Sequence, residues 1–200
     1  EKKEYDRVLQ VLDESIELDK AYRGQVLEYN QKKKEIYRLQ GNKSAYIEQL
    51  WKLVLEQSAG DLDIYKELKA QYSEKEWLIK REELFKKLPA NAHIDRLYKE
   101  EKLYDRLLAY VLKSSGLYAV QSYENVLKKE YPKQILSKYQ DEVNKMASCT
   151  GNRKHYADLV ALLRRMKRIK GGSEIVETIV EEWKIKYRNR PAMMDELSKL

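Results

Sequence analysis

Apolar side chains recur along this chain at spacings of three and four. Tyr46, Ile47, Leu50, Leu53 and Val54 form one row, Leu103, Leu107, Leu108, Val111 and Leu112 a second, and Ile175, Ile179, Val180, Trp183 and Tyr187 a third. Residues so spaced share one face of an α-helix, and period-two alternation is not sustained anywhere, so the pattern predicts an all-α chain. The rows are cut at Gly24, Gly41, Gly60, Pro89, Gly116, Pro132, Gly151, Gly171-Gly172 and Pro191. Glycine ends helices and proline starts them. Several breakers are followed by a residue able to cap the next helix, namely Asn42, Asp61, Asn91, Asn152 and Ser173. Ser73 and Glu76 have the spacing of a capping box, and a further break is expected at 99–102.

Successive breakers lie 16–29 residues apart. Each gap holds a helix of ~12–18 residues, and two such helices make a unit of ~35–40, the period of stacked helix hairpins. Short connections force neighbouring helices to run antiparallel. The expected architecture is one helical repeat-like domain over residues 1–200, with antiparallel hairpins stacked as a tetratricopeptide-like right-handed α-solenoid. An irregular helical bundle shares the hairpins and is the alternative. Residues 151–200 read as a basic C-terminal hairpin followed by a capping helix. The chain opens on Glu1 without an initiator methionine and is read as a fragment of a longer protein.

Composition narrows the chemistry. The longest apolar runs, such as Leu159 to Leu163, fall far short of the ~20 residues a membrane helix needs, so no membrane partner is expected. Sixteen tyrosines and three tryptophans argue for a packed chain rather than a disordered one. Each tyrosine can bury its ring against a neighbouring helix and leave its hydroxyl in water, or can line a concave binding surface. The single cysteine, Cys149, excludes an internal disulfide framework and a multi-thiolate zinc site. Cys149 and His155 stand six residues apart without a third partner, so Cys149 reads as a small buried residue at a helix end. His93, just after the helix start expected at Asn91, reads as a partly exposed first-turn residue. The carboxylate pairs Asp61/Asp63, Glu82/Glu83 and Glu181/Glu182 flank lysines and arginines at helix-surface spacing and read as solvated faces. No enzyme activity, cofactor or metal is expected of a chain read as cytoplasmic.

The formal net charge of +7 is unevenly placed: residues 1–100 carry 20 Lys/Arg and 20 Asp/Glu, residues 101–200 carry 20 and 13. Much of the excess lies in 152–170. On a helix of ~100° per residue, Arg153, Lys154, Arg164, Arg165 and Arg168 share one arc. Tyr156, Leu159, Leu162, Leu163, Met166 and Ile169 lie opposite. Such a face is a candidate for nucleic-acid binding through phosphate contacts. It equally fits a solvated helix surface, or one paired with Glu174, Glu177, Glu181 and Glu182 on the next helix.

The C-terminal third carries a resemblance. Residues 131–139 lead into Tyr156-Ala157-Asp158-Leu159-Val160-Ala161-Leu162-Leu163-Arg164-Arg165-Met166 and Gly171-Gly172. The chain then closes on Tyr187-Arg188-Asn189-Arg190-Pro191-Ala192 and Met193-Met194-Asp195-Glu196-Leu197. This order resembles the helical region that follows the zinc module in bacterial SWIM-type zinc-finger proteins, whose tail is similar at Tyr187, Arg190, Pro191 and Ala192. The resemblance implies a helical region downstream of a finger. The finger's Cys-x-Cys and Cys-x-His ligands would lie outside this chain, which has one cysteine. In the tail, Pro191 would start a last short helix with Asp195 and Glu196 in its first turns, and Met193, Met194 and Leu197 would cap the array. The function expected from all of this is a non-catalytic scaffold or protein-interaction region of a larger protein. An accessory nucleic-acid-binding region is the alternative.

Overall fold

The computed structural model describes residues 2–200, with side chains from Glu4 onward. Among the described residues there are twelve α-helices, one π-helical turn and no strand. The chain divides into two compact units, Glu1–Lys102 and Leu103–Leu200.

The first unit contains α1 (Lys2–Leu18), α2 (Arg23–Leu39), α3 (Lys43–Lys52), α4 (Leu62–Lys69), α5 (Glu74–Lys87) and α6 (Ile94–Glu100). A π-helical turn, Leu53–Gln57, continues α3. There the Ser58 N–H reaches back five residues to the Leu53 carbonyl, at 2.8 Å. The widened turn still leaves both Leu53 and Val54 fully buried. Helix α2 packs on α1 and α3, α3 on α4, and α4 on α6. Their shared core gathers Leu50, Leu68, Leu84 and Leu97 around Tyr65. The Tyr65 ring meets Trp77 edge-on at 5.1 Å and lies parallel to Phe85 at 6.5 Å, geometries that suit the charge distribution of aromatic rings. The Tyr65 hydroxyl is buried without a hydrogen-bond partner among the described residues, whereas Asn30 and Gln49 satisfy each other. The amide of fully buried Asn30 donates to the Val26 carbonyl, and Gln49 donates to the Asn30 side chain at 2.9 Å.

The second unit contains α7 (Tyr104–Lys113), α8 (Tyr118–Leu127), α9 (Pro132–Ser148), α10 (Arg153–Lys167), α11 (Gly172–Lys186) and α12 (Pro191–Leu197). Each helix packs on the next in sequence from α7 to α11; α7 also meets α9, α9 meets α11, and α10 meets α12. Most of the apolar rows read from the sequence face inward, while Leu112, at the end of the second row, is exposed. Leu107, Leu108 and Val111 are buried, as are Tyr156, Leu159, Leu163, Met166 and Ile169, and Ile179, Val180, Trp183 and Tyr187. Trp183 also donates its indole N–H to Asn144 of α9, at 2.8 Å.

Four of the expected caps form. Asn42 accepts from the Ala45 N–H, Asp61 from those of Asp63 and Ile64, and Asn152 from that of His155, while Ser73 and Glu76 complete a capping box. The break at 99–102 forms at Lys102, which adopts φ 55°. Three expectations need correction. Gly24 lies inside α2, because the turn is made earlier, where the Tyr22 N–H donates to the Asp19 carbonyl. Asn91 does not cap α6, because a turn from the Ala92 N–H to the Pro89 carbonyl delays that helix to Ile94. Ser173 does not cap α11, which opens at Gly172 after Gly171 takes φ 82°.

That opening depends on glycine. A Cβ at residue 172 would strike the carbonyl oxygen of Met166, and its other neighbour is the Leu136 side chain. Gly172→Ala is therefore expected to destabilise the protein by about 1–3 kcal/mol. Gly24→Ala, with nothing within 4 Å of the new methyl, should instead stabilise it by about 0.4–1 kcal/mol. Urea titration of the two variants beside wild type checks both signs.

Candidate anion-binding groove and C-terminal clasp

Helix α10 buries Leu159, Val160, Leu163 and Met166, which turns its basic residues away from the core. The five expected bases do not form one free surface. Arg164, Arg165 and Arg168 line a groove of about 430 Å³ together with Ala161, with Glu124 and Asn125 of α8 and with Lys128 just past its end. Arg153 lies eleven residues earlier, which is ~16 Å along the helix, and pairs with Asp195 at 2.6 Å and Glu196 at 3.3 Å. Lys154 is exposed.

Within the groove the arginines differ. Arg165 donates through Nε to Glu124 at 2.6 Å and through Nη2 to the Gln121 carbonyl at 3.0 Å. Arg164 donates to the Lys199 carbonyl beyond α12. Arg168 closes the end of α10, where positive charge suits the helix dipole, and its side chain is exposed. The expected pairing of this face with Glu174, Glu177, Glu181 and Glu182 does not occur. Those four are exposed on α11, and among the described residues the partners of α10 are Glu124, Asp195 and Glu196.

Glu124 is the residue on which the groove is built. Its side chain is 6% exposed, accepts from Arg165 and from the Tyr139 hydroxyl at 2.6 Å, and forms an ion pair with Lys128 at 3.6 Å. Burial alone would push this carboxyl up, but hydrogen bonds from Tyr139 and Arg165 outweigh it and hold it below the usual range. Burial and the same carboxylate push the Tyr139 phenol up. Charge in the interior persists only when matched in this way. One residue before Tyr139 on α9, Lys138 donates to the Ser114 carbonyl just past α7 and to Glu142.

The tail residues Tyr187, Arg190, Pro191 and Ala192 form a clasp. Arg190 donates to the carbonyls of Ala147 at 2.7 Å, Cys149 at 3.2 Å and Ser148 at 3.4 Å. These end α9 and have no partner of their own within the helix. The guanidinium lies over the Tyr187 ring at 4.3 Å. Pro191 starts α12 as expected, Met193 and Leu197 are buried, and Ala192 is half-buried. Asp195 and Glu196 fall beyond the first turn of α12 and pair with Arg153 and Lys199, so ion pairing rather than the helix dipole accounts for them.

The other singled-out residues are placed as follows. Cys149 is exposed rather than buried, because it caps the end of α9 in extended backbone. His155 is half-buried, with Nε2 3.0 Å from the Met146 carbonyl. His93 is exposed and precedes α6. Among the described residues no group of three metal-ligating side chains occurs, so those present do not fit a zinc site. Among the described residues no helix is long and apolar enough to cross a membrane. Several tyrosine hydroxyls end on carboxylates rather than in water: Tyr29 on Asp19, Tyr46 on Glu67, Tyr131 on Asp105 and Tyr139 on Glu124. Sequence reasoning missed Glu124 because glutamate on a helix reads as surface. The available signal was its register, four residues after Val120 and three before Leu127, both buried. Comparisons with protein-family models, curated proteins and solved structures returned no match.

The carboxyls of Glu101, Glu124 and Glu142 all lie below the usual range. They bind protons less readily folded than unfolded. Their contribution is therefore complete above the unfolded value of ~4.3 and is lost as pH falls through the lower folded values. The melting temperature should drop between about pH 5 and pH 3. Glu124→Gln should be less stable at neutral pH yet show a shallower acid decline, as read by circular dichroism across pH. Arg190→Met, which keeps the stem and loses the carbonyl contacts, should cost about 1–3 kcal/mol in urea titration.

Proposed function

We propose that this chain is a non-catalytic helical scaffold, a protein-interaction region within a larger protein, with its hairpins stacked as a tetratricopeptide-like array. The observation that carries this reading is the packing of the second unit. Its helices meet the next helix or the next but one in sequence. That is the neighbour-only order of stacked repeats, which offer extended surfaces to partner proteins. The clasp at Arg190 and the buried Met193 and Leu197 then act as the cap such an array requires at its end. Large apolar side chains stand in water on several helices, including Ile79 of α5 at 72%, Tyr118 of α8 at 84% and Ile185 of α11 at 77% exposure. In the setting implied by the SWIM-like tail, the array would follow a zinc module carried by another segment of a cytoplasmic protein.

A second reading rests on the groove. Four bases, Lys128, Arg164, Arg165 and Arg168, line it against the single acid Glu124, a charge balance suited to phosphate. Three of the five bases first singled out, Arg153, Arg164 and Arg165, are already engaged by the protein's own carboxylates and carbonyls. This favours the scaffold over the nucleic-acid reading.

The two separate in one comparison. Crosslinking mass spectrometry of the full-length protein in its own cells should return protein partners mapped onto this segment. Double- and single-stranded DNA and RNA should bind weakly at ~50 mM salt and no better than expected of any basic surface. The informative variant is Lys154→Glu with Arg168→Glu, which leaves the Arg165–Glu124 pair intact. A nucleic-acid affinity that this variant abolishes, and that falls by orders of magnitude by ~200 mM salt, overturns the scaffold reading.

A further inference from the structure

The first unit is electrically balanced in sequence but not in space. Several of its bases are matched: Lys33 pairs with Asp13, Lys34 with Glu67, and Lys69 and Arg81 with Glu101. A cleft of about 770 Å³ gathers others that are not. It is lined by Lys20 from the turn between α1 and α2, Arg23 from the first residue of α2, His93 before α6, and Arg96 within α6. All four are exposed, and among the described residues none of them forms an ion pair.

The cleft is built by the backbone. After the π-helical turn the chain reverses at Gly60, φ 77°, where the Gly60 N–H donates to the Val54 carbonyl. A Cβ on Gly60 would lie 3.0 Å from the His93 backbone nitrogen, so only glycine lets this loop close against the start of α6. That approach brings the start of α6, with His93 and Arg96, into the same lining as Lys20 and Arg23. Two acids also line the cleft. Asp61 is committed to the N–H groups of Asp63 and Ile64 at the start of α4, which leaves Glu56 exposed in the π-helical turn.

We propose that this cleft docks an acidic segment of a partner polypeptide, whose carboxylates are received by Lys20, Arg23 and Arg96. A polypeptide fits better than a nucleic acid because Glu56 stands among the bases. A phosphodiester backbone carries charge at every step and would set one phosphate against that carboxylate. A peptide can instead offer Glu56 a backbone N–H or a basic side chain. Arg suits carboxylate through its paired donors, and a volume in the usual range of ligand clefts admits several residues of extended chain. The inference rests on the protein-interaction reading and specifies its surface.

The test is fluorescence anisotropy of the whole chain with labelled Glu-rich peptides and matched peptides carrying Gln for Glu. Competition with pyrophosphate and with single-stranded DNA runs alongside. Glu-rich peptides should bind, weaken with salt, and lose on the order of tenfold or more in affinity in Arg23→Glu/Arg96→Glu. They should keep their affinity in Lys154→Glu/Arg168→Glu, whose changes lie in the other unit. Both variants alter exposed residues, and unchanged melting confirms that they fold; Arg23→Gln/Arg96→Gln repeats the test without adding charge. Equal binding of Glu and Gln peptides overturns the proposal. So does undiminished binding to the Arg23/Arg96 variants, or tighter binding of pyrophosphate or DNA than of any Glu peptide. If Glu peptides fail while crosslinking still maps partners onto the chain, the docking inference falls alone. If crosslinking also returns none, the scaffold reading falls with it.

Discussion

Glu124 carries a charge that its surroundings would expel if it stood alone. A carboxylate this deeply placed survives because two donors from two other helices converge on it, the Tyr139 hydroxyl from α9 and the Arg165 guanidinium from α10. Three helices are thereby tied at one point, and the tie has a direction that apolar contact lacks. Leucine rows allow a helix to slide or turn by part of a residue at modest cost, whereas hydrogen bonds to a buried carboxylate do not. The orientation of α10 follows from this tie, and with it the division of its basic residues among groove, solvent and α12.

The first unit uses the same device with other residues. Glu101, with its side chain 6% exposed, accepts from Lys69, Arg81 and the Trp77 indole. Burial pushes this carboxyl up, and the three donors more than offset it. In both units the helices gain register from one satisfied interior charge. Tyrosine suits such packing: at Tyr29, Tyr46, Tyr131 and Tyr139 the ring supplies apolar area and the hydroxyl reaches a carboxylate.

Helical content was legible in the sequence because the three-and-four spacing of apolar residues is a direct imprint of helix geometry. Rows such as Leu107, Leu108 and Val111 could hardly be read otherwise. Caps were legible where side chain and break coincide, as at Asn42, Asp61, Ser73 and Asn152. They failed at Asn91 and Ser173, where a turn made by the backbone itself, from Ala92 to Pro89 and from Gly172 to Ile169, decides where the helix begins. The basic stretch of α10 was plain, but its division was not, since Arg165 meets Glu124 across 41 residues and Arg153 meets Glu196 across 43. The cleft in the first unit was illegible for the same reason. Lys20 and Arg96 become neighbours only after the chain has folded, and neither has a local pattern that announces it.

The Arg190 clasp sets an order on the making of the protein. The carbonyl that Arg190 holds at Ala147 lies 43 residues upstream of it. On a chain that emerges N-terminus first, α9 can form and pack while its final turn stays open to water. Closure waits for synthesis to pass α10 and α11, because Arg190 stands just before α12 and must reach back to the end of α9.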